Sequence, residues 1–329
     1  MPIDIKTLTS LANNYAPQIH LNKHELYYPA PIDWYLPKVD LLAQDGSLIT
    51  SVVDENALST ANSSDHLKMK VRSIDSEQGD LTNAPYYVRI TDVANSPGMI
   101  DIQYWLFYAF NGCSAVGADI LDIITKVIEV PPLGEHQGDW EHVTVRINGN
   151  SSDNELVGVY TAQHGWGKWH KKNEYNKVHD TVRPSLYSAL HTHATYDSPG
   201  IKKIKAIGPT GFDIGLLDQV DKKGQIWDPL STGAGIDLVS VNVTGVDFSD
   251  APWTNFQGHW GPPTDEKETV TTATNDLVDA LNKIKSGSGD EYRQDIAAAM
   301  TNAFGVFLPG GPSSPSAKKS WQEGESTSP

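Results

Sequence analysis

The chain has 329 residues and a formal net charge of −16, from 25 Lys+Arg against 41 Asp+Glu. Such an acidic excess excludes broad, non-specific nucleic-acid binding and electrostatic docking on anionic lipid, which need a cationic surface; the best local basic patch is Lys168, His170, Lys171 and Lys172. With one cysteine, Cys113, neither an internal disulfide nor a Cys-based zinc site is expected.

The first residues, MPIDIKTLTSLANNYAP, lack a cationic stretch leading into an apolar run, so no signal peptide is expected. No window approaches the roughly 18 uninterrupted apolar residues of a transmembrane helix. The expectation is a soluble, cytoplasmic protein.

Residues 5–14 read as a short helix, followed by an irregular Pro- and aromatic-rich segment, and 54–82 as a polar loop. Residues 85–92 and 99–108 read as strands from their β-branched and aromatic content. In AVGADILDIITKVIEV, 115–130, the apolar residues at 116, 120, 123, 124 and 127 have helical spacing, which predicts a helix between strands. Further strands are predicted at 141–148, 156–164, 183–191 and 236–243, each short and bounded by turn residues. The fold class this implies is mainly β: an antiparallel β-sandwich with short helical insertions. Residues 264–308 read as a helical appendix of two helices, the first placing Val270, Leu277, Leu281 and Ile284 near one face. The division is 1–263 sandwich, 264–308 appendix and 309–329 a tail of disordered composition.

Seven of the eleven histidines, at 136, 142, 164, 170, 179, 191 and 193, cluster in one stretch, which points to a site assembled from several strands. In EHQGDWEHVTVRI, 135–147, strand alternation puts Asp139 and Glu141 on the face of Val143, Val145 and Ile147. Trp140, His142, Thr144 and Arg146 fall on the other face. Two carboxylates at the mouth of a core repel, so a shared proton, an Arg or Lys, or a metal ion must compensate. His136, with Gly138 allowing a tight backbone turn, completes a ligand set of two carboxylates and one imidazole. That set favours Mg²⁺, Ca²⁺ or Mn²⁺, with Zn²⁺ also admissible. The competing reading is a salt-bridge network in which Arg146 or a lysine takes the carboxylates.

In QHGWGKWH, 163–170, Trp166 and Trp169 either grip a ligand from a loop or cap the sandwich. His164, His191 and His193 are candidates for further ligands, a general base or buried structural roles. Nucleophilic signatures, phosphate-binding loops and the dinucleotide-binding glycine pattern are absent from the sequence.

The segments LANNYAPQIHLNKHELYYPAPIDWYL, IDIQYWLFYAFNG, HQGDWEHVTVRI, GVYTAQHG, RPSLYSALHTHATY and NFQGHWGPP together resemble the vacuolar protein sorting-associated protein 62 family, in its order, over about residues 11–263. HQGDWEHVTVRI also resembles the G-H-R-H-D-W-E-H-V motif of the necrosis- and ethylene-inducing-peptide-like toxins, which are actinoporin-like β-sandwiches. Those bind a divalent metal and a sphingolipid headgroup. This second resemblance implies a metal at His136, Asp139 and Glu141. Where the toxins carry a further liganding acid, YWLFYAFN here has Phe110 or Asn111, so Asn111 joins Trp166 and Trp169 as a ligand-binding candidate.

Three functions follow as expectations. The first is a metal-bridged binding module for a polar small molecule, a glycan or a lipid headgroup. The second is a metal-dependent hydrolase with His164, His191 or His193 as base. The third is a membrane-active protein using the apolar run IAAAMTNAFGVFL.

Overall fold

The computed structural model describes residues 4–119, 125–151, 154–206, 213–284, 287–304, 311–323 and 325. The chain begins with the helix Ile5–Tyr15, whose first turn is capped by the Asp4 carboxylate accepting from the Thr7 N–H at 2.8 Å. Leu8, Leu11, Ala12 and Tyr15 give it one buried face. β1 (Gln18–His20) follows. β2 (Val39–Leu42), β3 (Leu48–Thr50) and β4 (His66–Met69) form an antiparallel sheet in the order β3-β2-β4. The segment 54–82, polar enough to predict a loop, holds β4 and two short helices, Glu55–Thr60 and Ile74–Glu77. Buried Leu58, Leu67 and Met69 hold the first helix and β4, and Ser76, whose hydroxyl accepts from the Ser73 N–H and donates to the Val71 carbonyl, holds the second helix.

β5 (Tyr86–Asp92) and β6 (Met99–Asn111) are long central strands. β7 (Ala115–Asp119) and β8 (Thr125–Glu129) form an antiparallel hairpin, where spacing predicted one helix over 115–130. A short apolar run reads alike as buried strand or buried helix. Here Val116 lies opposite Ile128 and takes its place in a core supplied from elsewhere in the chain. Ile120, Ile123 and Ile124, on which the helical reading leaned, lie outside the described residues. β9 (His136–Asn148), β10 (Glu155–Gln163), β11 (Trp166–Lys171), β12 (Asn176–Lys177), β13 (Pro184–Ser188), β14 (Thr195–Tyr196), β15 (Gly200–Ala206), β16 (Asp213–Val220), β17 (Ile226–Trp227) and β18 (Ile236–Asn242) complete the strands.

The fold is mainly β and its pairing mainly antiparallel. The central sheet runs β11-β10-β9-β6-β5-β18, with one parallel neighbour pair, β18 on β5. One face presents Ile90, Ile102, Tyr104, Val143, Val145 and Val159 to Ile19, Leu186 and Trp227 of a second sheet, β12-β13-β1-β17. The other face presents Trp105, Phe107 and Trp140 to Leu41, Leu67, Trp253 and Trp260. Burial on both faces explains why β6 is apolar almost throughout, with no clean alternation.

A third core joins Val116 and Leu216, from the sheet β15-β16-β7-β8, to the C-terminal helices Glu266–Ile284 and Arg293–Phe304. Leu277 and Leu281 are buried there and Val270 packs at its edge; the Ile284 side chain lies outside the described residues. Ile296, Ala299, Met300, Ala303 and Phe304, from the apolar run considered for membrane insertion, are buried as well. Among the described residues no helix is long and apolar enough to cross a membrane.

Residues 311–323 have the composition of a disordered tail, yet they pack on the sandwich. A 3-10 turn, Pro315–Ala317, leads to a short helix, Lys319–Glu323, and Trp321 is buried against Trp105 at a ring separation of 5.6 Å. One aromatic anchor and a handful of hydrogen bonds are enough to order a segment whose mean polarity predicts none.

Candidate functional site

β9 carries the acidic motif from its first residue. Against β6, His136 lies opposite Asn111, Asp139 opposite Tyr108 and Glu141 opposite Leu106. The face assignment follows strand alternation: Val143, Val145 and Ile147 enter one core and Trp140 the other. Gly138 adopts φ +64°, and a Cβ there would stand 2.5 Å from the Trp260 carbonyl oxygen, so the strand and the 260 region meet only because this residue has no side chain.

The His136 ring reaches the Gly138 carbonyl through Nδ1 at 2.7 Å. The carbonyl can only accept, so Nδ1 carries the proton and donates, which leaves Nε2 as the lone-pair nitrogen, the arrangement in which an imidazole serves as a metal ligand. Burial drives the His136 pKa down and favours this neutral form. Asp139 and Glu141 are both nearly closed to water. Burial pushes against the Asp139 charge, but the His193 hydrogen bond at 3.1 Å and the charges of His136, His193 and Lys318 hold its pKa below the ordinary value. Glu141 moves the opposite way: burial, and then the charge of Asp139, raise it well above the usual carboxylate range. The two carboxylates are therefore split, one favoured as the anion and the other as the acid.

Each of the three candidate histidines pairs with a carboxylate, and His191 and His193 both approach Glu25. His164 Nε2 lies 3.0 Å from Asp218, His191 Nδ1 lies 3.1 Å from Glu25, and His193 Nδ1 lies 3.1 Å from Asp139. All three have left-handed backbone, with φ of 57°, 64° and 58°. A non-glycine residue is held there only when its surroundings fix it, and the paired carboxylates are part of that fixing. Burial opposes the charge on His164 and His191, but Asp218 and Glu25 override it and raise both pKa values. His193 stacks face to face on Tyr108 at 3.7 Å. Its Nε2 is 4.0 Å from Glu25 Oε1, at the limit of an ion pair, and has no hydrogen-bond partner among the described residues. Carboxylates and imidazoles thus alternate from Asp139 through His193 and Glu25 to His191. Asp218 is held from a second side by the hydroxyls of Thr192 and Tyr196, each donating at 2.6 Å.

Sequence reading passes over Glu25, Asp218 and Lys318. Glu25 stands in a Pro- and aromatic-rich stretch and Asp218 inside an apolar strand, each far in sequence from its histidine. A charged residue at the end of an apolar run was the available signal for Asp218. Lys318 had none. Its ammonium, from the C-terminal segment, donates to the carbonyl oxygen of Trp140, the residue between the two carboxylates. It acts electrostatically on His136, Asp139 and Glu141. Arg146, the cation considered for this place, is taken by Asp101 instead. Among the described residues no three His, Cys, Asp or Glu side chains are gathered closely enough to hold a metal ion. The donor chemistry of His136, Asp139 and Glu141 suits a hard cation, and Lys318 supplies positive charge beside it.

The remaining candidates separate. Asn111 is buried and its amide donates to the carbonyls of Gly112 and Gly134 at 2.9 and 2.8 Å, tying two loops together. Trp169 is buried, with the Arg146 guanidinium 4.5 Å above its ring. Trp166, at the first position of β11 rather than in a loop, is 46% exposed and lies 5.8 Å from the His164 ring. His142, on the far face as strand alternation requires, stacks on Trp105 at 4.4 Å and pairs with Glu325 at 2.7 Å.

The model of the vacuolar protein sorting-associated protein 62 (Vps62) family matches residues 1–325. The chain belongs to the Vps62 family. It is 24% identical over 294 residues to vacuolar protein sorting-associated protein 62 of Saccharomyces cerevisiae, covering 75% of this chain and 58% of that one. It is 25% identical over 299 residues to the putative vacuolar protein sorting-associated protein TDA6 of the same yeast, covering 77% and 60%. The chain thus spans less than two thirds of either relative. Among solved structures, Necrosis and Ethylene inducing Protein 2 from the causal agent of cocoa's Witches Broom disease aligns with a TM-score of 0.30 and 17% identity, over 71% of this chain and 72% of that one.

Proposed function

We propose that this Vps62-family chain is a binding module, linked to vacuolar sorting, that takes a divalent cation on His136, Asp139 and Glu141. Through that ion it holds a polar headgroup, glycan or small polar molecule. The observation that supports it is the pair of buried carboxylates on one strand face, with the imidazole of His136 at the start of the same strand, its Nδ1 spent on the Gly138 carbonyl and its Nε2 lone pair available to ligate; the three side chains would draw together around the ion. Two carboxylate ligands and one nitrogen suit Mg²⁺, Ca²⁺ or Mn²⁺. Such an ion would supply a positive charge that bridges to ligand oxygens, a recognition that needs no basic surface and so is compatible with a net charge of −16. Trp166 is the exposed aromatic available to such a ligand.

Calorimetric titration with CaCl₂, MgCl₂ and MnCl₂ separately tests the reading. Wild type is expected to bind at least one ion, and Asp139→Asn to lose at least about tenfold in affinity, the scale of one lost charge-assisted contact. Absence of binding, or equal binding by Asp139→Asn, overturns the reading. Binding to vesicles and glycans with and without EDTA then identifies the ligand class.

The His164–Asp218 pair favours a second reading, a metal-dependent hydrolase in which an oriented imidazole activates water. Hydrolysis of a phosphoester or ester panel that is lost in His164→Gln would support it. Identical rates for the two proteins on every substrate would dismiss it.

A further inference from the structure

We infer that the central sheet, on the face carrying Trp105, forms a docking groove for an acidic, aromatic-bearing peptide of another protein, and that the chain's own Trp321 and Glu325 occupy it as a resident stand-in. The floor of the groove is two adjacent rungs of the sheet. Arg89, Gln103 and Thr144 are register partners across β5, β6 and β9, and Tyr87, Trp105 and His142 form the next rung on the same face. This is the face of β9 opposite Asp139 and Glu141, so the groove stands apart from the proposed cation site.

The resident segment is held as a bound peptide is held: by one main-chain bond, one aromatic anchor and one acidic anchor. The Gln103 amide donates to the Ser320 carbonyl at 2.7 Å, while its oxygen accepts from the Trp105 indole at 3.3 Å, which fixes the direction of the amide. The Trp321 ring lies 5.6 Å from that of Trp105 and 5.2 Å from the Arg89 guanidinium. Glu325 Oε1 accepts from Thr144 at 3.1 Å and pairs with His142 Nε2 at 2.7 Å, and its carboxylate is nearly closed to water.

The resident does not use everything the groove offers. Arg89 is 5% exposed, and its Nε and Nη1 have no hydrogen-bond partner among the described residues. Burial lowers its pKa to about 10, which leaves it charged at neutral pH. A buried guanidinium without acceptors is costly, and the face of an indole compensates only in part. A peptide that keeps the aromatic and acidic anchors and brings a further carboxylate or carbonyl oxygen to Arg89 fits this floor better than the resident does. The resident is also easily displaced. Its helix is one turn long, and the sequence around its single buried indole, AKKSWQEGE, is otherwise polar. The Trp260 indole bond to the Ser314 hydroxyl, and the Ser314 bond to the Phe256 carbonyl, anchor the chain upstream, so the segment can leave without loss of that packing.

The probe is a fluorescein-labelled peptide of sequence SPSAKKSWQEGE, residues 314–325, added to the full chain and read by anisotropy. Wild type is compared with Trp321→Ala and Glu325→Gln, which loosen the resident at two separate points, so that one stays informative where the other fails to fold. Both are expected to bind the peptide at least about tenfold more tightly than wild type, because the resident competes for the same floor. Peptides carrying Trp321→Ala or Glu325→Gln, and chains with Arg89→Met added to either variant, are expected to lose at least about tenfold. Absence of peptide binding by both variants, or equal binding of the altered peptides, overturns the groove. A wild-type dimer in light scattering that Trp321→Ala abolishes would place a second copy's segment in the groove and overturn its assignment to another protein.

Discussion

Arg146 and Asp101 stand directly opposite on β9 and β6 and join through two parallel hydrogen bonds, Nε to Oδ1 at 2.7 Å and Nη2 to Oδ2 at 2.8 Å. Both side chains are nearly excluded from water. Arg146, on the face of β9 opposite Asp139 and Glu141, is committed to Asp101 and does not neutralise them. Removing one partner strands the other charge, so Asp101→Ala is expected to cost about 3–5 kcal/mol by urea unfolding, whereas Asp101→Leu with Arg146→Met stays near neutral. A double variant as damaged as the single one would contradict this.

Gly138 combines a positive φ with contact against the Trp260 carbonyl. Gly138→Ala is expected to cost roughly 1–3 kcal/mol from backbone strain alone, and more from the clash. Thermal unfolding measures it; a wild-type melting temperature would mean that the strand and the 260 region are free to part.

The two tryptophans of β11 are expected to divide cleanly. Trp169→Ala removes a buried indole and should lower stability by about 3–5 kcal/mol. Trp166→Ala, at an exposed position, should change it by less than about 0.5 kcal/mol. Ligand binding lost in Trp166→Ala at unchanged stability would mark that ring as a contact, and a large stability loss there would mark it as structural instead.

The His191–Glu25 pair gives the fold a pH window. Burial opposes the His191 charge, but Glu25 raises its pKa above the ordinary value, so this contribution is complete below about pH 6.5 and fades as pH rises through the raised value. Glu25 is buried too, yet His191 and His193 hold its pKa below the ordinary value, so its contribution is present above about pH 4.5 and is lost as pH falls through the lowered value. The stability gap between wild type and His191→Gln is therefore expected to be widest near about pH 5–6 and to narrow towards alkaline pH. Urea midpoints across pH measure it, and a gap that widened above about pH 8 would contradict the pairing.

At the acid edge, Asp228 is partly buried, yet Arg183 at 2.6 Å holds its pKa below the usual value. Its stabilisation is present above about pH 4 and disappears as pH falls through the lowered value. The penalty of Asp228→Asn should accordingly be measurable at pH 7 and vanish in strong acid.

The sequence by itself determined the strands that alternate or are rich in β-branched residues, and the division of β9 into two faces. Side-chain direction along a strand has a period of two whatever the strand packs against, so Asp139 and Glu141 fall on the face of Val143 in any fold that keeps the strand. The sequence also determined the family, whose ordered segments run from LANNYAP to NFQGHWGPP. Only the tertiary structure decided what surrounds the carboxylates. Glu25 meets His191 across 166 positions and Asp218 meets His164 across 54, and contacts at such separations leave no local periodicity to read. The pairing of β7 with β8 was undecidable for a related reason, because a strand buried in a core and a buried helix show the same apolar content. Polar composition likewise hid the docking of 311–323, because mean polarity reports the average of a segment, while Trp321 and Lys318 hold it down one by one.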